Sequence, residues 1–154
     1  MFRVFLLSAS KGFPTYDELG DILEAARVRN KSDGITGLMI YHEGSFAHIL
    51  EGPEDRVRAS VERIKSDPLH TGCKVILEEN TPTRMFDDWA MGFIPPGVKR
   101  DVERDNFLDL RKMGETRQLW EALQHPVIAP FIRSLHPALS VSSYEEETTV
   151  LKIA

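Results

Sequence analysis

Two neighbouring segments in the first half of the chain, Thr36–Tyr41 and Ser45–Glu51, carry aliphatic residues in strand-like patterns. A short turn with a glycine, His42 to Gly44, separates them, and this combination predicts a β-hairpin. Alternation divides the second strand into two faces, with Phe46, His48 and Leu50 on one and Ala47, Ile49 and Glu51 on the other. The first face is apolar except at its centre, so His48 is the first candidate site residue.

Helical periodicity occurs on both sides of this hairpin. Thr15 and Glu18 predict a capping box for a helix that ends near residues 30–31, and Pro53 predicts the start of a second helix that Asp67 and Pro68 end. Further strands are predicted at Phe2–Leu7, Lys74–Glu79 and Trp89–Phe93. The resulting order, β-α-β-β-α-β with one additional strand, predicts an α+β, ferredoxin-like fold with two helices on one face of a mostly antiparallel sheet.

The run Pro95–Gly97 breaks the pattern and is the predicted boundary between a domain of residues 1–96 and a helical extension with a tail, residues 97–154. Helices are predicted over Val102–Met113 and Glu115–Leu123, followed by an apolar piece that Pro126 and Pro130 interrupt. Amphipathic helices of this kind either cover the free face of the sheet or mediate dimerisation. The sequence does not choose between these two roles.

Composition narrows the class of protein. The chain of 154 residues has a net charge of −5, which gives no electrostatic attraction to nucleic acid or to anionic membranes. Its single cysteine, Cys73, excludes an internal disulfide framework and a cysteine-rich metal site. No apolar run reaches the roughly 20 residues that span a bilayer, and the apolar N-terminus fits a strand better than a signal peptide. We therefore expect a cytoplasmic protein.

Four polar residues could converge between the helices and the sheet: Asn30, His48, Arg63 and Asp67. An amide, an imidazole, a guanidinium and a carboxylate among apolar stripes suit a planar, partly polar ligand. The structural alternatives are a helix cap for Asn30, a hydrogen-bonded core residue for His48 and a surface ion pair between Arg63 and Asp67. Both interpretations stay open at this point.

Signals for catalysis are weak. None of the five histidines stands in a metal-ligand spacing with a second ligand, and no glycine motif that cradles phosphate precedes a helix. Ser8 and Ser10 lack a plausible histidine and aspartate partnership, and Cys73 lacks a basic environment. The sequence thus predicts neither an enzyme nor a metal site.

Several motifs together resemble the BLUF domain, the flavin-based sensor of blue light. They are RNKSDGITGLMIY from Arg29, GSFAHILEGP from Gly44, Arg63-Ile with Asp67-Pro and His70, and FDDWAMGF from Phe86. The similarity covers roughly residues 2–96. It implies a ferredoxin-like fold with the isoalloxazine ring of FAD held between the two helices.

The resemblance also implies roles for individual residues. Asn30 would hydrogen-bond the flavin ring with Arg29 beside it, and Arg63 and Asp67 would form the second-helix pair at the flavin. The residues that relay the signal through the fifth strand would be Trp89 and Met91.

Two positions depart from the family pattern. Leu6 stands where the family has a photoactive tyrosine, and His48 stands where it has a glutamine. Leucine supplies neither an electron nor a hydrogen bond, and histidine has no amide to rotate. The resemblance therefore implies a flavin-binding protein whose ordinary photocycle is lost or altered, working as a homo-oligomer and through a downstream regulatory protein. The alternative is an interaction module without a cofactor, and an enzyme on the same scaffold is a third class.

Overall fold

The computed structural model describes residues 1–87, 92–94 and 117–135. These ranges contain five strands and four helices: β1 (Phe2–Ser10), α1 (Tyr16–Asp33), β2 (Thr36–His42), β3 (Ser45–Gly52), α2 (Glu54–Ser66), β4 (His70–Asn80), β5 (Gly92–Ile94), α3 (Arg117–Gln124) and α4 (Ile128–Leu135). The predicted β-α-β-β-α-β order with an added strand is confirmed. The predicted helix Val102–Met113, the break at 95–97 and the tail lie outside the described residues.

The strands form one sheet in the order β4-β1-β3-β2-β5. Strand β1 is antiparallel to both β3 and β4, and β2 is antiparallel to β3, while β5 joins β2 in parallel. Each of α1 and α2 connects two parallel strands that have a third strand between them, which is the arrangement of a ferredoxin-like fold. This topology places β1 and β3 side by side at the centre of the sheet.

Local signals explain where α1 begins and ends. The side chain of Thr15 accepts from the backbone N–H of Glu18, whose carboxylate accepts from Thr15, so the predicted capping box is confirmed. Gly34 ends the helix in the left-handed conformation, with φ of 67°. For α2, Pro53 was predicted as the first helical residue but occupies the N-cap position, so the helix begins one residue later, at Glu54.

Each face of the sheet has its own hydrophobic core. One, here called the helix-side core, contains Leu6 and Phe46 of the sheet with Leu19 and Leu23 of α1 and Val57 and Val61 of α2. On the opposite face, the second core joins Phe5, Leu38, Ile40, Ala47 and Ile49 of the sheet to Ala122, Leu123, Ile128 and Ile132 of α3 and α4. Helices α3 and α4 therefore cover the free face of the sheet, which is one of the two roles that the sequence left open.

The C-terminal helical pair tolerates its prolines because of where they lie. Pro126 precedes α4, and Pro130 is in the first turn of that helix, where a backbone N–H has no intrahelical partner to lose. Among the described residues, none of the helices is both long and apolar enough to cross a membrane.

Candidate functional site

Leu6 and His48 are directly paired across the central strands β1 and β3. On its other side His48 pairs with Met39 of β2. All three side chains are buried on the helix-side face of the sheet, as the alternation around His48 predicted. Neither ring nitrogen of His48 has a hydrogen-bond partner among the described residues. A buried imidazole with two unpaired nitrogens is costly in an apolar core, at about 1–3 kcal/mol for each unsatisfied group.

Aromatic rings and a second histidine surround His48. Its ring stacks on Phe46 with the centroids 5.8 Å apart, and the ring of His70 lies edge-on at 5.4 Å. His70 is itself fixed by a contact of 2.7 Å between its Nδ1 and the hydroxyl of Ser8. Burial, and secondarily the neighbouring His70, lowers the pKa of His48 to about 3, and burial also lowers the pKa of His70. His48 is therefore a neutral imidazole near pH 7, with one donor and one acceptor.

The two residues predicted on the last turns of α1 differ in exposure. Asn30 is buried, and its backbone carbonyl accepts from the N–H of Ile35 at 2.8 Å, which ties the end of α1 to the start of β2. Arg29 is exposed to solvent. The helix-end role considered for Asn30 is thus present in its backbone, and the residue as a whole is buried.

Arg63 and Asp67 do not pair with each other. Arg63 instead donates to the carboxylate of Asp33 at 3.1 Å, which joins α2 to the end of α1. Asp33 also lies 3.6 Å from Arg56. The carboxylate of Asp67 accepts from the backbone N–H of Leu69 at 2.8 Å and so stabilises the turn before β4. The surface ion pair between Arg63 and Asp67, considered as a structural alternative from their spacing, is wrong.

An open cleft of about 440 Å³ lies between the loop before α1, the first turns of α1 and the turn after α2. Asp67 lines it, together with the apolar side chains of Ile22 and Leu69, which also pack on the helix-side core. Its volume falls in the range of small-molecule sites, about 300–1,000 Å³. The cleft therefore lies against the core that holds Leu6 and Phe46.

The structure brings together only part of the predicted set. Leu6 and His48 meet in the sheet, Asp67 lines the cleft, and Arg63 bridges the two helices. Trp89 and Met91 lie outside the described residues. No group of three or more histidine, cysteine or acidic residues suited to a metal ion occurs in the part of the chain that the structure describes.

Sequence reasoning missed a buried ionic group on the opposite face of the sheet. Glu51 has no exposed surface, and its carboxylate accepts from the Nε of Arg3 at 2.6 Å. The sequence signal that could have revealed this group is one basic residue, Arg3, and one acidic residue, Glu51, each at an inward position of an otherwise apolar strand. It also missed His70, which the motif contained but to which no role was given.

The first 92 residues are matched by the family model described as "BLUF: Sensors of blue-light using FAD". The chain belongs to the BLUF family. The BLUF domain is a sensor of blue light, and its cofactor is FAD. The resemblance found in the sequence and the fold expected from it are both confirmed.

Curated relatives contain a BLUF domain within much longer proteins. The chain is 30% identical over 93 residues to the "Photoactivated adenylate cyclase subunit alpha-like protein FB" of Euglena gracilis, over 58% of this chain and 9% of that protein. It is 29% identical over 74 residues to the "Blue light- and temperature-regulated antirepressor BluF" of Escherichia coli (strain K12), over 48% of this chain and 18% of that protein. The chain therefore spans only a small part of the length of these relatives.

A solved BLUF structure supports the same fold. The dark-state structure of BlrB, described as a BLUF protein, superposes with a TM-score of 0.60 at 25% identity, over 81% of this chain and 86% of that one. The similarity extends beyond the matched family region because it covers more of the chain than residues 1–92.

Proposed function

We propose that this BLUF protein binds a flavin beside His48 and acts as a sensory or regulatory protein through protein–protein interaction, with the ordinary blue-light photocycle lost or altered. The observation that carries the proposal is the buried imidazole of His48, whose two nitrogens lack partners among the described residues. A planar heterocycle between the sheet and the helices α1 and α2 would offer the missing partners.

The chemistry of this site fits the ring edge of a flavin. Neutral His48 can donate one hydrogen bond and accept another, and the ring edge presents carbonyl acceptors next to ring nitrogens. Leu6, Met39 and Phe46 supply apolar surface around it. A bound ring would therefore satisfy His48 while its own apolar area is buried.

The roles of the remaining site residues are part of this proposal. Asn30 and Arg29 would contact the flavin from the end of α1, Arg63 and Asp67 from α2 and its following turn. Because Arg63 binds Asp33 in this structure, its guanidinium must exchange partners to reach a ligand. Trp89 and Met91 would carry the signal onwards through the fifth strand.

The photocycle is expected to differ because of Leu6 and His48. A bound flavin supplies absorption of blue light and redox chemistry. The side chain of Leu6 provides neither an oxidisable group nor a hydrogen bond, and that of His48 has no amide that could rotate. Trp89 is the remaining aromatic residue of the predicted site that could transfer an electron.

The second candidate function is an interaction or oligomerisation module without a cofactor. Two observations favour it: Leu6 is completely buried in the helix-side core, and Arg63 is already held by Asp33 at 3.1 Å. In this case the core of the domain serves only to stabilise the scaffold that presents the interaction surface.

The proposed mode of action is non-enzymatic, in the cytoplasm, with a homo-oligomer and a downstream regulatory protein as partners. The names of the relatives support output through another domain or protein, since one is a photoactivated cyclase subunit and another an antirepressor. A fold alone does not determine the partner.

An absorption spectrum of the protein purified from flavin-rich cells, dark and illuminated, tests this proposal. We expect a yellow protein that releases flavin on denaturation and shows no light-induced red shift. A persistent red shift would contradict the altered photocycle. A colourless protein that releases no flavin would instead support the module without a cofactor.

A further inference from the structure

A chain of four side chains crosses the sheet face that α3 and α4 cover. It runs from Glu51 through Arg3 and Glu79 to His125, and we call it the ionic chain. Arg3 is the cross-strand partner of both Glu51 on β3 and Glu79 on β4. Its Nε donates to Glu51 at 2.6 Å, and its Nη1 donates to Glu79. One guanidinium therefore joins all three strands β3, β1 and β4.

At its first end, the ionic chain holds the segment that precedes β5. The carboxylate of Glu51 accepts from the backbone N–H groups of Met85 and Phe86, at 2.9 and 3.0 Å. Both of these residues are buried in the second core or beside it. Glu51 thus fixes the position of this segment relative to β3, the strand that also carries His48.

At its other end, the ionic chain reaches the C-terminal helices. The Nε2 of His125 lies 3.2 Å from the carboxylate of Glu79, and its Nδ1 accepts from the backbone N–H groups of Val127 and Ile128 at 3.2 and 3.3 Å. Because Nδ1 accepts, the proton of the neutral ring is on Nε2 and is donated to Glu79. His125 therefore caps the start of α4 and attaches that cap to the sheet.

Strand β3 connects the ionic chain to the candidate site. Glu51 lies three residues after His48 on the same strand and on its opposite face. A shift or rotation of β3 on ligand binding would move both side chains together. With Glu51 fully buried, such a movement must be matched by Arg3 and by the two N–H groups, because a buried charge is costly to leave unpaired.

We propose that the ionic chain couples His48 to the C-terminal helices, so that a change at His48 alters how firmly α4 is held on the sheet. The inference rests on the proposed site at His48, but it concerns the route by which that site acts on the rest of the chain. Arg3, Glu51, Glu79 and His125 are positioning residues in this coupling, and His125 is its last member.

The variant His125→Asn separates the two roles of His125. An asparagine side chain is a good helix cap and can accept the N–H groups two and three residues ahead, but it is too short to keep the contact with Glu79. Amide hydrogen exchange of residues 128–135 in the full chain then reports how α4 is held. A double-mutant cycle with His48→Leu, measured without flavin, isolates the coupling.

We expect His48→Leu to change the exchange rates of α4 by about twofold or more in the otherwise unaltered chain, and to leave them unchanged when His125→Asn is also present. The matched control is Lys65→Gln, which removes an exposed ion pair with Glu62 within α2 and should add to His48→Leu without interaction. Equal effects of His48→Leu in both backgrounds would overturn the proposed coupling.

A second measurement compares the exchange of α4 with and without added FAD. Wild-type protein should show a ligand-dependent difference that His125→Asn loses while its affinity for FAD is retained. A difference that persists in His125→Asn would also overturn the coupling. If no flavin binds, the proposed cofactor fails, and the flavin-free cycle still decides whether the ionic chain couples the two sites.

Discussion

Leu6 and His48 face each other across the central strands β1 and β3, buried on the side of the sheet that α1 and α2 cover. Side chains that are direct cross-strand neighbours have Cβ atoms about 4.5–5.5 Å apart. A ligand that contacts one of them on this face therefore meets the other. The two positions at which the resemblance implies a tyrosine and a glutamine therefore lie at one place on the sheet.

The first prediction concerns the double variant Leu6→Tyr/His48→Gln, which returns the reactive pair of the family to adjacent strands. We expect a flavin-loaded double variant to gain a light-induced red shift that we do not expect of the wild-type protein, because the phenol and the amide are then neighbours at the proposed flavin site. Dark and illuminated absorption spectra measure this. Each single variant serves as a control, and flavin binding without any red-shifted state in the double variant would refute the prediction.

The variant His48→Leu should have opposite effects on stability and on binding. Without flavin, the free energy of unfolding should rise by about 1–3 kcal/mol, since the substitution removes buried polar atoms that have no partner among the described residues. The affinity for flavin should fall, because the ring loses a hydrogen-bonding neighbour. Urea unfolding and fluorescence titration with FAD measure the two effects. A destabilised His48→Leu protein would show that His48 is satisfied in solution.

The low pKa of His48 also predicts a dependence of stability on pH. Burial and the neighbouring His70 lower this pKa from 6.5 to about 3, so the unfolded chain binds a proton that the folded chain excludes over this interval. The free energy of unfolding therefore falls as the pH decreases from about 6.5 towards 3, by at most about 1.4 kcal/mol per pH unit for this one group.

The contribution of His48 is obtained by comparing how the free energy of unfolding depends on pH in the wild-type protein and in His48→Leu. Wild-type protein should lose more stability than His48→Leu between about pH 6.5 and pH 4, with carboxylates and His70 contributing to both curves. Denaturant unfolding at several pH values provides the comparison. Parallel curves for the two proteins would mean that His48 titrates in the folded state as it does in the unfolded chain.

Hydrophobic alternation predicted the sheet and the site-facing side of β3 because both depend on local periodicity. The predicted β4, Lys74–Glu79, was too short, since its polar beginning is held in the strand by pairing with β1, as in the register of Ser10 with His70. No hydrophobic alternation within His70–Cys73 predicts that pairing. Strand ends of this kind are decided by the neighbouring strand.

The ionic partners could not be predicted because they depend on how distant segments meet. Arg63 was matched to Asp67 by helical spacing, yet it binds Asp33, which lies 30 positions away on another helix. Arg3 and Glu51 become neighbours only once β1 and β3 are known to be adjacent and their register is fixed. Resemblance to a family supplies residue roles, but it does not supply these contacts.

Asp33 is predicted to compete with a ligand for Arg63. The variant Asp33→Asn should raise the affinity for FAD by up to about fivefold, because the partly exposed ion pair that it breaks contributes at most about 1 kcal/mol. Titration with FAD measures this, and the stability of the protein should change little. Glu62→Gln, which breaks the exposed pair with Lys65 on the same helix, is the control. Weaker binding by Asp33→Asn would show that Arg63 does not contact the ligand.

Close packing of β2 on β3 predicts a strong effect of one added methyl group. A Cβ at Gly37 would lie 1.9 Å from the backbone oxygen of Ile49, so Gly37→Ala must displace the strand that carries His48. We expect it to lower the free energy of unfolding by at least about 3 kcal/mol and to abolish flavin binding. Gly20→Ala is the matched control, since nothing lies within 4 Å of its added Cβ and alanine is the better helix former. That variant should gain about 0.5–1 kcal/mol, and a Gly37→Ala protein of wild-type stability would refute the tight pairing of β2 with β3.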